Sequence, residues 1–313
     1  MSITFYSLAE ANRRKTFFLI FFFFVLLAIV GYLVDCFYLR FPRHFPFPLF
    51  TSIAVFIATI QSLVSYYQGD NIILRSLGAR PLNLESIKET TLLNVVEEMS
   101  IAAGIPRPRV YIIDSDVPNA CAVGRDPQHA SICVTSSLLD LLNREELQGV
   151  IGHEVAHIRN RDILTMTITA ALLGAIIILC EIGWRLQYVR GYEDEEEGVG
   201  GRAGCLFFIL FLVLLIVAPI IAKLVFLAVS RSREYIADAH GAMFTRNPLG
   251  LASALEKIAK APGGKLGSAA TAHLFIADPL KRAIGEYEGF WADLWSTHPP
   301  IQKRIELLKQ MAI

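Results

Sequence analysis

Four long apolar runs dominate this chain of 313 residues and leave few architectures open to it. The first, Thr16 to Val34, carries no charge, follows Arg13, Arg14 and Lys15, and is long enough to cross a hydrocarbon core of about 30 Å as a helix. A cleavable signal sequence has an apolar stretch of only about 7 to 15 residues ending in small side chains. This run instead continues into Asp35, Cys36 and Phe37, so a retained anchor is expected. Further runs cover Phe47 to Ser65, Ile163 to Ile182 and Cys205 to Ala222, the last broken near Pro219 and edged by Lys223, whose amine can snorkel. Taken in pairs, the runs form two transmembrane hairpins.

A mean hydropathy of +0.47, with 54% apolar and 19% charged residues, fits that reading and excludes an ordinary soluble globule. Lys plus Arg balance Asp plus Glu at 29 each, so no basic field exists to attract nucleic acid. The five cysteines are odd in number, scattered and without a CxxC pair, which argues against a disulfide framework or a thiolate metal site and for a reducing compartment. Basic residues flank the runs on one side: Arg13 to Lys15, Arg159 and Arg161, Arg231 and Arg233. They place both termini and the middle segment in the cytoplasm of a multi-pass inner (plasma) membrane protein, although Arg185, Arg190 and Arg202 dilute the asymmetry. The loops Asp35 to Pro46 and Gly183 to Gly204, the latter with the acidic block Glu193 to Glu197, then face the opposite side. The Gly- and Ala-rich stretch Ala261 to Ala270 reads as a loop.

Between the hairpins lies Asn143-Arg-Glu-Glu-Leu-Gln-Gly-Val-Ile-Gly-His-Glu-Val-Ala-His157, which begins as a helix, with Asn143 as N-cap and Glu146 as its capping partner. His153 and His157 are spaced i, i+4, so both imidazoles leave one face of that helix and can converge on a single ion. Glu154, beside the first histidine, can take a proton from activated water without binding the metal itself. Catalytic zinc takes three protein ligands and leaves the fourth place for water. The third candidate is Glu234, in Ser230-Arg-Ser-Arg-Glu-Tyr-Ile-Ala-Asp238, where Asp238 shares its helical face and can accept the far N–H of a ligand histidine. Two crossings between His157 and Glu234 return the chain to the same side of the bilayer, as a shared site requires. The few residues from His157 to Ile163 put the metal within roughly 10 Å of the membrane surface, at about 1.5 Å per helical residue. Charged residues on both sides of the motif argue against an intramembrane active site.

Three segments together resemble HtpX-like membrane zinc proteases over essentially the whole chain: His153-Glu-Val-Ala-His157 with Asn160-Arg-Asp, Arg233-Glu-Tyr-Ile-Ala-Asp238, and Ser296-Thr-His-Pro-Pro-Ile-Gln-Lys-Arg304. The resemblance implies a quality-control endopeptidase that cleaves misfolded or damaged membrane proteins on the cytoplasmic side, with CAAX prenyl proteases as more distant relatives. It also implies that His298 stabilises the oxyanion, that Arg304 lies near the site and contacts substrate, and that Asn119-Ala-Cys-Ala-Val-Gly124 holds substrate through Asn119 and Ala120. A strand at Ser131 to Thr135, at a sheet edge, would pair with extended substrate. Cys121 departs from the aromatic more usual at that place. His44, His129, His240 and His273 have no spacing that suggests a site.

The expected fold is therefore mostly α: four transmembrane helices attached to a cytosolic α+β zincin-like (gluzincin) domain with a small sheet from Arg109 to Asp114 and Ser131 to Thr135. Its parts are an N-terminal hairpin (1–70), a first catalytic part with the HExxH helix (71–162), a second hairpin (163–229) and a second catalytic part with the third ligand (230–313). The expected cofactor is one Zn2+ per chain, and the expected partners are polypeptide substrates and the lipid bilayer. Rival readings are a CAAX-type processing protease and a catalytically silent chaperone or scaffold with structural zinc.

Overall fold

The computed structural model describes residues 46–164, 166, 233–262, 264, 266, 274–277 and 299–312, with positions 17, 18, 21, 24, 25, 28, 29, 31–33, 35 and 36. The expected fourth span, all but the first residues of the expected third, and His298 lie outside the described residues, as do His44 and His273. The chain divides into two compact units, one built from Met1–Thr16, Ser65–Ile168 and Phe226–Ile313, the other from Phe17–Val64 and Thr169–Val225.

In the second unit the described residues are helical before Asp35, and helix α1 (Leu49–Ser76) begins there and continues into the first unit. The Asp35 carboxylate, fully buried, caps the start of α1 by accepting from the N–H groups of Phe50 (2.7 Å) and Thr51 (2.8 Å) and from the Thr51 hydroxyl (2.6 Å). An acid at a helix N-terminus meets both the unpaired amides and the positive end of the dipole. Gly31 lets the two segments approach closely, since a Cβ there would lie 2.7 Å from Thr51 Cα. Phe17, Phe18, Phe21, Phe47, Ile53 and Phe56 are exposed along this unit. Among the described residues no single helix is long and apolar enough to cross a membrane; Leu49–Val64 and Tyr66–Ser76 meet that test only as a broken pair.

The first unit is an α+β assembly. Its sheet has the order β1-β2-β4-β3, from β1 (Arg80–Pro81), β2 (Arg109–Ile113), β3 (Ala120–Gly124) and β4 (Ala130–Thr135). Strand β4 runs parallel to β2 and antiparallel to β3. It is therefore central and not the edge expected for it, the edge on that side being β3, and β4 is buried along its whole length, as its apolar run Ile132 to Val134 requires. Helix α2 (Ile87–Ala103) ends at Gly104, whose φ of 66° closes the helix in the left-handed conformation. Helix α3 (Ser136–Leu141) leads to the motif helix α4 (Arg144–Arg159), which packs against α2, β3 and α6 (Pro248–Lys260). Residues 233–245 form α5, and α7 (Ile301–Gln310) closes the far side of α6.

The capping box on α4 is complete: the Asn143 side chain accepts from Glu146 N–H and the Glu146 carboxylate accepts from Asn143 N–H, both at 2.9 Å. From Glu146 to Ile158 only Gln148 escapes burial, so α4 is a helix inside the core and not on its surface. Leu147, Val150, Ile151, Val155 and Ile158 join Leu92, Val96, Leu251 and Leu255 in one apolar cluster. Each such side chain contributes roughly 1.5–3 kcal/mol by leaving water.

Candidate metal centre and active site

The motif helix delivers two imidazoles into the core, and α5 brings a carboxylate to meet them. The His153 and His157 Nε2 atoms are 3.1 Å apart, and the Glu234 carboxylate lies 3.5 Å from His157 Nε2 and 3.9 Å from His153 Nε2. All three side chains are buried, and among the described residues they form a trio able to hold a metal ion. Ligand bonds of about 2.0–2.1 Å to a tetrahedral ion place donor atoms roughly 3.3 Å apart, close to these separations.

The other ring nitrogens are committed. His153 Nδ1 lies 2.9 Å from Asp238 Oδ1, and His157 Nδ1 lies 3.2 Å from Asp162 Oδ2. A ring that gives its Nδ1 proton to a carboxylate presents an Nε2 lone pair, so the two rings face each other acceptor to acceptor. Burial opposes protonation of His157, but Asp162 and Glu234 outweigh it and raise its pKa to about 10, so the gap between the two Nε2 atoms is one that a shared proton or a metal ion fills. Burial opposes protonation of His153, and its value falls below the ordinary one. Burial likewise opposes ionisation of Asp238, but Arg304 and His153 outweigh it and hold that carboxyl at about 2.

Close backbone approach makes the meeting of α4 and α5 possible. A Cβ on Gly241 would lie 2.9 Å from His153 N, so a larger residue would push α5, with Glu234 and Asp238, away from the histidines. Gly149 does the same for α6, where an added Cβ would meet Leu251 N at 2.6 Å.

Glu154 is buried one residue from the first histidine. Burial, with the nearby Glu234 charge, pushes its carboxyl up to about 8, against the pull of His157, Arg304 and the Ala122 N–H. A dication among these groups favours the carboxylate. Strand β3 thus supplies a main-chain donor to the glutamate, a contact with no sequence signature.

Arg304, expected to touch substrate, is instead 1% exposed and internal. Its Nε and Nη2 donate to the two Asp238 oxygens at 2.8 and 2.7 Å, Nη1 donates to the Ile276 carbonyl at 2.9 Å, and Nη1 lies 3.3 Å from Glu234 Oε2. Helix α7 buries Arg304 with Ile305 and Leu308, so the guanidinium has no face left for a peptide. Asn119 and Ala120 are likewise engaged within the chain. Asn119 Nδ2 donates to the Ala277 carbonyl at 2.8 Å, and the Ala120 carbonyl accepts from Ile276 N–H at 2.9 Å. Phe275 bridges to Cys121, so residues 275–276 occupy the start of the β3 edge where substrate was expected.

Sequence reasoning gave Asp162 no role, although it stands in the Asn160-Arg-Asp segment just past the motif helix. The charged flank there does not all reach solvent: Asn160 and Asp162 are buried, Asp162 because it holds His157. His129 has a local partner in Asp126, and the His240 ring lies 3.1 Å from Asn160 Nδ2, 80 residues away along the chain.

A buried His–His–Glu trio on an α+β scaffold, with a glutamate beside the first imidazole, defines a metal-dependent peptidase. The pattern of peptidase family M48 matches residues 86–312. Proteins named "Protease HtpX homolog" are similar over nearly the full length. The one from Thermoanaerobacter pseudethanolicus is 43% identical over 313 residues, covering 99% of each chain. That from Dictyoglomus thermophilum is 43% identical, covering 98% of this chain and 95% of its own. That from Pyrococcus furiosus is 44% identical over 265 residues, 83% of this chain and 86% of its own. The crystal structure of S. mikatae Ste24p shares the fold, with a TM-score of 0.50 and 20% identity over 90% of this chain; the chain spans 62% of that one. The protein belongs to peptidase family M48 and is a metalloprotease.

Proposed function

We propose that the chain is a multi-pass, membrane-anchored zinc endopeptidase that hydrolyses misfolded or damaged membrane proteins at the cytoplasmic face. One zinc ion would be held by His153, His157 and Glu234. The observation that carries this reading is the pair of Nε2 atoms facing each other at 3.1 Å, each ring tied by its Nδ1 side to a carboxylate, with Glu234 alongside. Zinc bound there supplies Lewis acidity, which lowers the pKa of water and polarises a carbonyl.

The protein's own residues do the rest. Glu154, steadied by the Ala122 N–H, takes a proton from the attacking water as its oxygen bonds to the scissile carbonyl carbon. The same carboxyl then passes that proton to the leaving amine as the C–N bond breaks. His298 donates to the developing oxyanion, a role taken from the family resemblance. Extended substrate pairs with β3 beyond Cys121, where main-chain bonding makes little demand on side chains. The exposed apolar row of Phe17, Phe21, Ile53 and Phe56 supports anchoring in lipid, since a surface of that kind is costly in water. The reading assigns both termini and the metal site to the cytoplasm, with hairpins at 1–70 and 163–229.

Glu154→Gln tests the mechanism. The variant, purified in detergent with zinc, is expected to bind metal as the wild type does and to cleave casein about 10²–10⁴-fold more slowly. Undiminished cleavage would remove Glu154 from the reaction. A silent scaffold with structural zinc predicts that neither protein cleaves.

A further inference from the structure

We propose that the first unit carries a second binding site, lined by none of the proposed zinc ligands, for the phosphate headgroup of an anionic phospholipid. The proposal rests on the membrane-anchored reading above. The site is a cavity of about 490 Å3 whose wall includes Tyr66, Ile105, Arg125, Gln128, Arg161 and Leu164. That volume lies within the range of about 300–1,000 Å3 common for small-molecule sites. A neighbouring cavity of about 360 Å3 shares Tyr66, Arg125 and Gln128.

The charges on this wall favour an anion. The Arg125 guanidinium is set over the rings of Tyr66 and Tyr67, at 5.7 and 5.5 Å, which fixes its plane without neutralising it. Arg161 has no ion pair among the described residues, in contrast to Arg109 with Asp70, Arg107 with Glu97 and Lys88 with Asp140. The wall carries one carboxylate, Asp126, 3.5 Å from Arg125 Nε. Asp126 is already occupied by the N–H groups of Gln128 and His129, both at 2.9 Å, and by the His129 ring at 2.8 Å. Two guanidinium groups against one committed carboxylate leave about one positive charge, the complement of a phosphate diester, whose oxygens match the planar guanidinium fork. Arg161 also has a φ of 59°, a conformation strained for any residue but glycine, at a position where its side chain lines the cavity.

Lipid is favoured over soluble phosphate by the place of these residues along the chain. Tyr66 immediately follows the second apolar run, and Leu164 is the second residue of the third. The wall is thus built where the chain leaves and re-enters the bilayer, the level at which tyrosine is favoured and where basic pockets take up anionic headgroups.

The test uses the full chain in phosphatidylcholine vesicles with and without phosphatidylglycerol, followed by detergent extraction and native mass spectrometry of retained lipid. One phosphatidylglycerol per chain is expected on the wild type, with retention reduced about tenfold in Arg161→Gln and in Arg125→Gln and unchanged in Arg107→Gln. Equal retention of the two lipids, or full retention by Arg161→Gln, overturns the proposal. Displacement of the lipid by inorganic phosphate or glycerol phosphate at matched concentration overturns the assignment to a lipid headgroup. Alkaline carbonate extraction separates the levels of failure. A chain that stays embedded without lipid preference refutes this site alone; a chain released from both kinds of vesicle refutes the membrane reading and this site with it.

Discussion

Asp162 and Asp238 do for the two imidazoles what neither ring does unaided: they hold the proton on Nδ1 and aim the lone pair of Nε2 inward. Asp162→Asn and Asp238→Asn are each expected to weaken zinc binding about 10–100-fold, measured by competition with a chelator, while the fold persists. Affinity equal to that of the wild type would show that the rings are oriented by something else. Asp238 was legible from its i, i+4 relation to Glu234, because both share a helical face. Asp162 was not, because its approach to His157 depends on the turn after α4, where Arg161 adopts a positive φ that no spacing rule anticipates. Arg304 was legible as a residue near the site but not as one buried within it, since its partners Asp238 and Ile276 arrive from distant parts of the chain.

At the scale of elements, Glu146 joins the start of the motif helix to α6. Its carboxylate completes the capping box and accepts from the Ser253 hydroxyl (2.6 Å) and the Lys257 ammonium (2.7 Å). Burial opposes its ionisation, but Lys257, Ser253 and the Asn143 N–H outweigh burial and hold the carboxyl below its ordinary value of 4.5. A depressed folded-state pKa stabilises above the unfolded value and ceases to do so as pH falls through the folded one. Glu146→Gln should therefore lower stability at neutral pH by about 1–2 kcal/mol, and the gap to wild type should close as the solution is acidified below 4.5. Thermal unfolding across that range measures it, and a gap independent of pH would contradict it. The capping box, the Gly104 stop of α2 and the strands at β2 and β4 could be read from local residue order. The position of β4 within the sheet could not, because strand order is set by long-range pairing: β2 and β4 are parallel neighbours joined through β3. Nor could the docking of residues 275–276 on β3, which depends on Asn119 receiving Ala277 from far along the chain.

For the whole molecule, the apolar runs and the HExxH motif set the terms separately, and the proposed return of the chain to one side of a bilayer would connect them. The trio His153, His157 and Glu234 draws on segments on either side of the third and fourth runs, so the metal, if bound, ties the two halves of the catalytic unit together. Metal binding of this kind adds to folding stability as well as chemistry. Metal analysis of full-length protein purified without chelator is the most direct test. One zinc per chain is expected in the wild type and in Glu154→Gln, with loss of the ion from Glu234→Ala. Protein free of metal that still hydrolyses casein would contradict the reading at its root.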